Sequence, residues 1–130
     1  MEAPKWRRSN TMTVSVRADL HGSKYGTQKI GPVSSLEPLR PGNWLHFRAV
    51  TNTGGLFDPA TYRVMWRITN TDEAAACVGE LRGKFERPES DNTRWESLKY
   101  RGVHLAEAFV ILKRTDTIVG QSQAFRVMIE

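Results

Sequence analysis

The chain has one cysteine, Cys77, so it cannot close an internal disulfide. A fold of this kind must be held by its core, and a reducing, cytoplasmic setting is the expectation. Cys77 itself reads as a small apolar residue in a partly buried segment. No apolar run reaches membrane-spanning length, and residues 1–8 lack the apolar stretch of a secretory leader, so no membrane association is expected. There is no block of consecutive Lys or Arg, which excludes a basic tail. Phosphate-cradling loops of the Gly-x-x-x-x-Gly-Lys-Ser/Thr or Gly-x-Gly-x-x-Gly type are missing, as is a Gly-x-Ser-x-Gly elbow. The histidines His21, His46 and His104 are far apart in sequence with no cysteine pair to join them, so neither a metal nor another cofactor is expected. Catalytic triads are spatial, and the sequence leaves that class open. No Ser, Thr or Cys sits in an activating context, however, and the expectation is a non-enzyme.

What remains is a chain of 130 residues with four Trp, five Phe and three Tyr, enough for one domain with a real core. The sequence reads as a single domain over residues 1–130. The formal charge is +5 and the sequence pI about 9.7. A basic surface favours phosphate-bearing ligands, or is simply a solvated, Arg-rich exterior.

Strand-period alternation dominates. Met12, Val14, Val16 and Ala18 alternate with polar residues. So do Leu45, Phe47 and Ala49, then Tyr62, Val64, Trp66 and Ile68, and finally Phe125, Val127 and Ile129. The run 105–112 is nearly all apolar and predicts a central strand covered on both faces. A hairpin turn should follow at 113–118. The irregular interval 20–41 reads as holding a short strand near residues 25–30 or as a functional loop; a helical turn is expected at 73–76 and a polar loop over 86–92. Breakers such as Gly31-Pro32, Pro41-Gly42, Gly54-Gly55 and Asp58-Pro59 punctuate the chain. The pattern predicts an all-β, two-sheet antiparallel sandwich of about seven strands, immunoglobulin-like in layout but without a Cys–Trp–Cys core. A closed barrel is the alternative.

Polar and aromatic residues gather beside the ends of these strands. Asn70 ends one strand and could bond a base edge, or its own backbone in a turn. Arg82 suits phosphate oxygens, or pairs with Glu80 or Glu96; the adjacent Gly83 permits close backbone approach or a sharp turn. Trp95 and Tyr100 could stack on a base or pack in the core. Glu96 could accept from a base amine or ribose hydroxyl, or pair with Arg82. His104 could donate to a phosphate or be a satisfied, partly buried histidine. Trp66 reads as core.

Several of these residues recur in an ordered series: Pro4-x-Trp6, Trp44-x-x-Phe47-x-Ala49, Asp58-Pro-x-x-Tyr62, Trp66-Arg-Ile-Thr-Asn70, Glu73-Ala74, Leu81-Arg82-Gly83, Glu96-x-x-x-Tyr100-x-Gly102-x-His104 and Ser122-x-x-Phe125-x-Val-x-Ile129. The series resembles the Adenylyl/Guanylyl cyclase and SMODS C-terminal sensor domain, a small module of bacterial anti-phage nucleotide signalling. Ser97 departs from the Thr expected after the Glu. The resemblance implies a non-catalytic, all-β sensor of a nucleotide or nucleotide-derived ligand, acting on an associated nucleotidyltransferase, cyclase or effector. It adds Gly102 to the candidate ligand residues. The chain carries no nucleotidyltransferase or cyclase core, so it reads as a domain excised from a longer protein or as a free-standing sensor. Two other readings stay open: a protein-interaction module that recognises a partner or phage protein, and an RNA-binding module.

Overall fold

A computed structural model describes residues 4–9, 11–26, 29–70, 84–99 and 102–130. These form eleven strands: β1 (Arg7–Arg8), β2 (Ser15–His21), β3 (Lys29–Val33), β4 (Pro38–Leu39), β5 (Trp44–Val50), β6 (Tyr62–Asn70), β7 (Lys84–Glu86), β8 (Arg94–Ser97), β9 (Gly102–Leu112), β10 (Thr117–Gln121) and β11 (Phe125–Ile129). They build two sheets, as the alternation predicts, and the sandwich is favoured over the closed barrel. The helical turn expected at 73–76, and Cys77, lie outside the described residues.

The larger sheet is organised around β9. β6 pairs along one side of it over its full length, from Tyr62 opposite Leu112 to Asn70 opposite His104. Along the other side run β10 and then β11, both antiparallel to β9. β10 and β11 are thus two halves of one interrupted strand. Its outer edge carries two short parallel strands, β1 on β10 and β4 on β11. The smaller sheet has the order β3-β2-β5-β8, all antiparallel.

The β9 run is buried from Ala106 to Ile111, which explains why its sequence lacks alternation: both of its faces are covered. Ala106, Ala108 and Val110 face the smaller sheet with Val64, Trp66, Phe125 and Val127, and meet Leu45, Phe47 and Ala49 of β5. On the other face Phe109 and Ile111 join Met65 and Ile118 in a second cluster, closed by Trp6 and Phe85. Trp66 is fully buried, as expected. Arg67, which periodicity places on a wet face, is instead buried on that second side. Its guanidinium makes two bonds to Glu107, at 2.9 and 3.0 Å, and lies over the rings of Phe85 and Phe109. Burying the pair requires this two-point geometry, since an isolated charge there would be very costly.

Two local expectations need correction. Met12 and Val14 precede β2 rather than belonging to it, although both still pack on the core. The early short strand is β3 at Lys29–Val33, while Tyr25 sits in a turn with φ 57. The loop over 86–92 contains a tight turn at Ser90–Asn92. In it the buried Asn92, at φ 62, takes a left-handed conformation that Asn tolerates well. Its side chain fills the place of a missing strand beside β6. Oδ1 accepts from the Val64 N–H, Nδ2 donates to the carbonyls of Tyr62 and Phe57, and the Asn92 carbonyl accepts from the Trp66 indole.

Candidate functional site

β8 decides how the candidate residues are distributed, because neighbours on a strand point to opposite faces. Glu96 stands opposite Leu45 and therefore shares the inner face of the smaller sheet; Trp95 stands opposite His46 on the outer face. The two cannot serve one ligand from the same side of the sheet.

On the inner side, Glu96 and His104 both line a cleft between the sheets. The cleft is about 40 Å³, with Leu45, Ile68, Leu98 and Ile129 among its walls. That volume holds a few waters or the edge of a flat ring, and is far below the ~300 Å³ or more that a whole small ligand fills. Burial pushes the Glu96 carboxyl above its ordinary value of 4.5, Arg94 opposes the shift, and Glu86 and Glu89 add to it. The Arg94 Nε–H donates to Glu96 Oε1 at 2.9 Å, while its other nitrogens lie 3.6 Å from Glu89 and 3.9 Å from Glu86. One guanidinium therefore serves three carboxylates, and the carboxylate at the cleft is held by Arg94 rather than free.

His104 is buried on β9, with Asn70 opposite it on one side and Val127 on the other. The Asn70 side chain lies outside the described set. Gly102 opens β9 at φ 111, a conformation that side-chain-bearing residues rarely adopt, so the backbone alone gives a reason for glycine there. Arg82, Gly83 and Tyr100 lie outside the described residues. The structure thus brings Glu96 and His104 together, and by register sets Asn70 beside them.

Trp95 belongs to a separate aromatic group on the outer face. His46 stacks on it at 4.3 Å between ring centroids, His21 meets it edge-on at 4.7 Å, and Tyr25 at 5.6 Å. The Tyr25 hydroxyl donates to Glu89 at 2.5 Å. His21 and His46, distant in sequence, are 5.9 Å apart between ring centroids. Beside them on the same face the buried Asp19 pairs with Arg48 at 3.1 Å and Lys29 at 3.3 Å. Burial lowers the His46 pKa below 6.5, with His21 and Arg48 adding to the effect and Asp19 and Glu89 opposing it. Alternation marks Asp19, His21, His46 and Arg48 as outward residues, but only the pairing of β2 with β5, which sequence does not show, brings them together. Among the described residues no group of three or more His, Cys, Asp or Glu could hold a metal ion. Among the same residues no helix is long and apolar enough to cross a membrane.

Neither a search of curated proteins nor one of solved structures finds a significant match to this chain. One family's sequence pattern does match, over residues 1–130, and the chain belongs to that family, the Adenylyl/Guanylyl and SMODS C-terminal sensor domain.

Proposed function

We propose that this sensor domain is not itself catalytic, that it binds a nucleotide or nucleotide-derived ligand at the cleft between its sheets, and that the ligand regulates an associated nucleotidyltransferase, cyclase or effector in the cytoplasm. The observation that carries the reading is that Glu96 and His104, from different sheets, line one cleft with apolar walls. A base edge suits that lining: Glu96 accepts from an exocyclic amine, His104 donates, and Leu45 and Ile68 cover the ring faces. Asn70, Arg82, Gly83, Tyr100 and Gly102 complete the proposed site, with Arg82 as the phosphate ligand.

The small volume gives the mechanism its logic. A ligand larger than the cleft must part the sheets, so the ligand-bound and ligand-free forms differ in shape. A sensor needs that difference, because a ligand shifts an equilibrium only by its unequal affinity for the two states. β8 is the element suited to move, being short and at the edge of its sheet.

Calorimetry against a panel of mono-, di- and cyclic nucleotides tests the reading. At least one should give saturable heat, with Glu96→Gln weakening it about tenfold, or ~1.4 kcal/mol. A panel without saturable heat overturns the reading.

A further inference from the structure

The interrupted strand β10–β11 leaves a gap at the edge of the larger sheet. β1 covers that edge at Thr117 and Ile118, and β4 covers it at Met128 and Ile129. Both run parallel to the strand they cover, so they occupy one column with an opening between them. At one end of the opening the Met12 N–H donates to the Val119 carbonyl at 2.8 Å. At the other, the Leu36 N–H donates to the Arg126 carbonyl at 2.8 Å, and Ser35 Oγ accepts from the Arg126 N–H at 2.9 Å. Between these points, among the described residues, the backbone of residues 120–125 makes no bond to the outer column. Ser122 turns the other way: its N–H donates to the Ala108 carbonyl, and its Oγ accepts from the Ala108 N–H, both at 2.9 Å.

The opening is a wide hollow. Two adjoining clefts of about 610 and 590 Å³ share Ser35, Gln121, Gln123 and Ala124. This is ample for a ligand, unlike the cleft between the sheets. Backbone groups at an uncovered sheet edge accept another strand most readily, because main-chain bonds then complete the ladder. At ~3.3 Å per residue, about five extended residues span the opening. Two arginines stand at its ends, and one exposed carboxylate, Glu37, follows Leu36 in the chain. The Arg8 guanidinium donates to the Gln121 side chain at one end, and Arg126 is exposed at the other. Among the described residues the one carboxylate in the wall, Glu107, is paired with Arg67. The chain as a whole carries +5.

We infer that the gap between β1 and β4 is a docking slot for an extended acidic peptide segment, which enters as the missing strand beside residues 120–125. The slot is separate from the proposed nucleotide cleft and does not depend on it. Gln121, Gln123 and Ser35 supply side-chain bonds, Arg8 and Arg126 attract the acidic residues, and the backbone supplies the ladder.

The test uses an array of capped hexapeptides that alternate Glu with Val or Thr, read by amide chemical shifts and hydrogen exchange on the whole chain. Amides of residues 120–125 should shift and gain protection with at least one peptide. N-methylation of that peptide at alternate residues should weaken binding more than tenfold, and methylation of the intervening residues should not. That contrast requires a ladder and leaves the protein unaltered. Arg126→Glu, a change at an exposed side chain, should weaken binding about tenfold with an unchanged spectrum elsewhere. The inference is overturned if no peptide moves these amides, if methylation acts alike at every position, if an oligonucleotide protects the same amides instead, or if they become protected with protein concentration alone, which would make the slot a contact between copies.

Discussion

Asn92 shows how much one side chain can carry. It satisfies the Val64 N–H and the carbonyls of Tyr62 and Phe57, beyond the Trp66–Ile68 stretch of β6 that β7 pairs. Asn92→Ala leaves these groups unpaired in a buried place, at a cost of about 2–4 kcal/mol, to be read as a lower urea midpoint at unchanged slope. Nothing in the sequence marked this residue, which sits in a polar stretch beside Ser90 and Asp91 and looks like any turn Asn. Two titrating residues give opposite pH signatures. Glu96 is held above 4.5, so the folded state binds its proton more tightly than the unfolded chain does. The stability this contributes is complete below pH 4.5 and is lost as pH rises through the raised value. Wild type should therefore lose ground to Glu96→Gln on going from pH 4 to pH 7 in urea denaturation. His46 is held below 6.5, so its contribution is present at neutral pH and is lost as pH falls from 6.5 through the lowered value. His46→Phe retains an aromatic ring to stack on Trp95 and cannot titrate. Wild type should weaken relative to it between pH 7.5 and pH 5, and parallel curves would discount the proton.

At the scale of elements, the strands were legible where one face is wet and the other dry. β5, β6 and β11 follow the alternation of Leu45, Val64 and Phe125 with their neighbours, and β9 follows from the absence of alternation over residues 105–112. What could not be read was pairing. β1 and β4 are two residues each, too short for any period, and exist only because β10 and β11 offer an edge. The same limit hid the Arg67–Glu107 pair, because a charged residue in an alternating strand reads as solvent-facing until a second layer is known to cover it. That layer is Trp6 and Phe85, brought over the sheet from distant parts of the chain. The pair predicts a clear inequality. Glu107→Ala removes the two carboxylate bonds of a guanidinium buried among aromatic rings and should cost about 3–5 kcal/mol, whereas replacing both partners, Arg67→Met with Glu107→Leu, should cost much less. Equal losses in the single and double variants would mean that the pair holds the layer by its charge alone.

Across the whole molecule, the candidate site was legible in part. The sequence grouped Glu96, Trp95 and His104 by their nearness to strand ends, yet the two-residue period of β8 sends Trp95 to the far side of its sheet. The structure also joins two places that the sequence kept apart. β11 carries Val127 and Ile129 into the cleft between the sheets, and Phe125 and Arg126 into the slot at the sheet edge. A ligand that parts the sheets pushes on the same five-residue strand that forms one wall of the slot. Through β11 the two proposed sites should be coupled, and coupling of binding free energies is reciprocal. A saturating nucleotide should change the dissociation constant of the acidic peptide by roughly 5–150-fold, and the peptide should change that of the nucleotide by the same factor. Titrating each in the presence and absence of the other measures both factors. Unequal factors would expose an error in one of the titrations, since linkage allows none. Two factors of unity would show that β11 does not move, and that the cleft opens toward β8 alone.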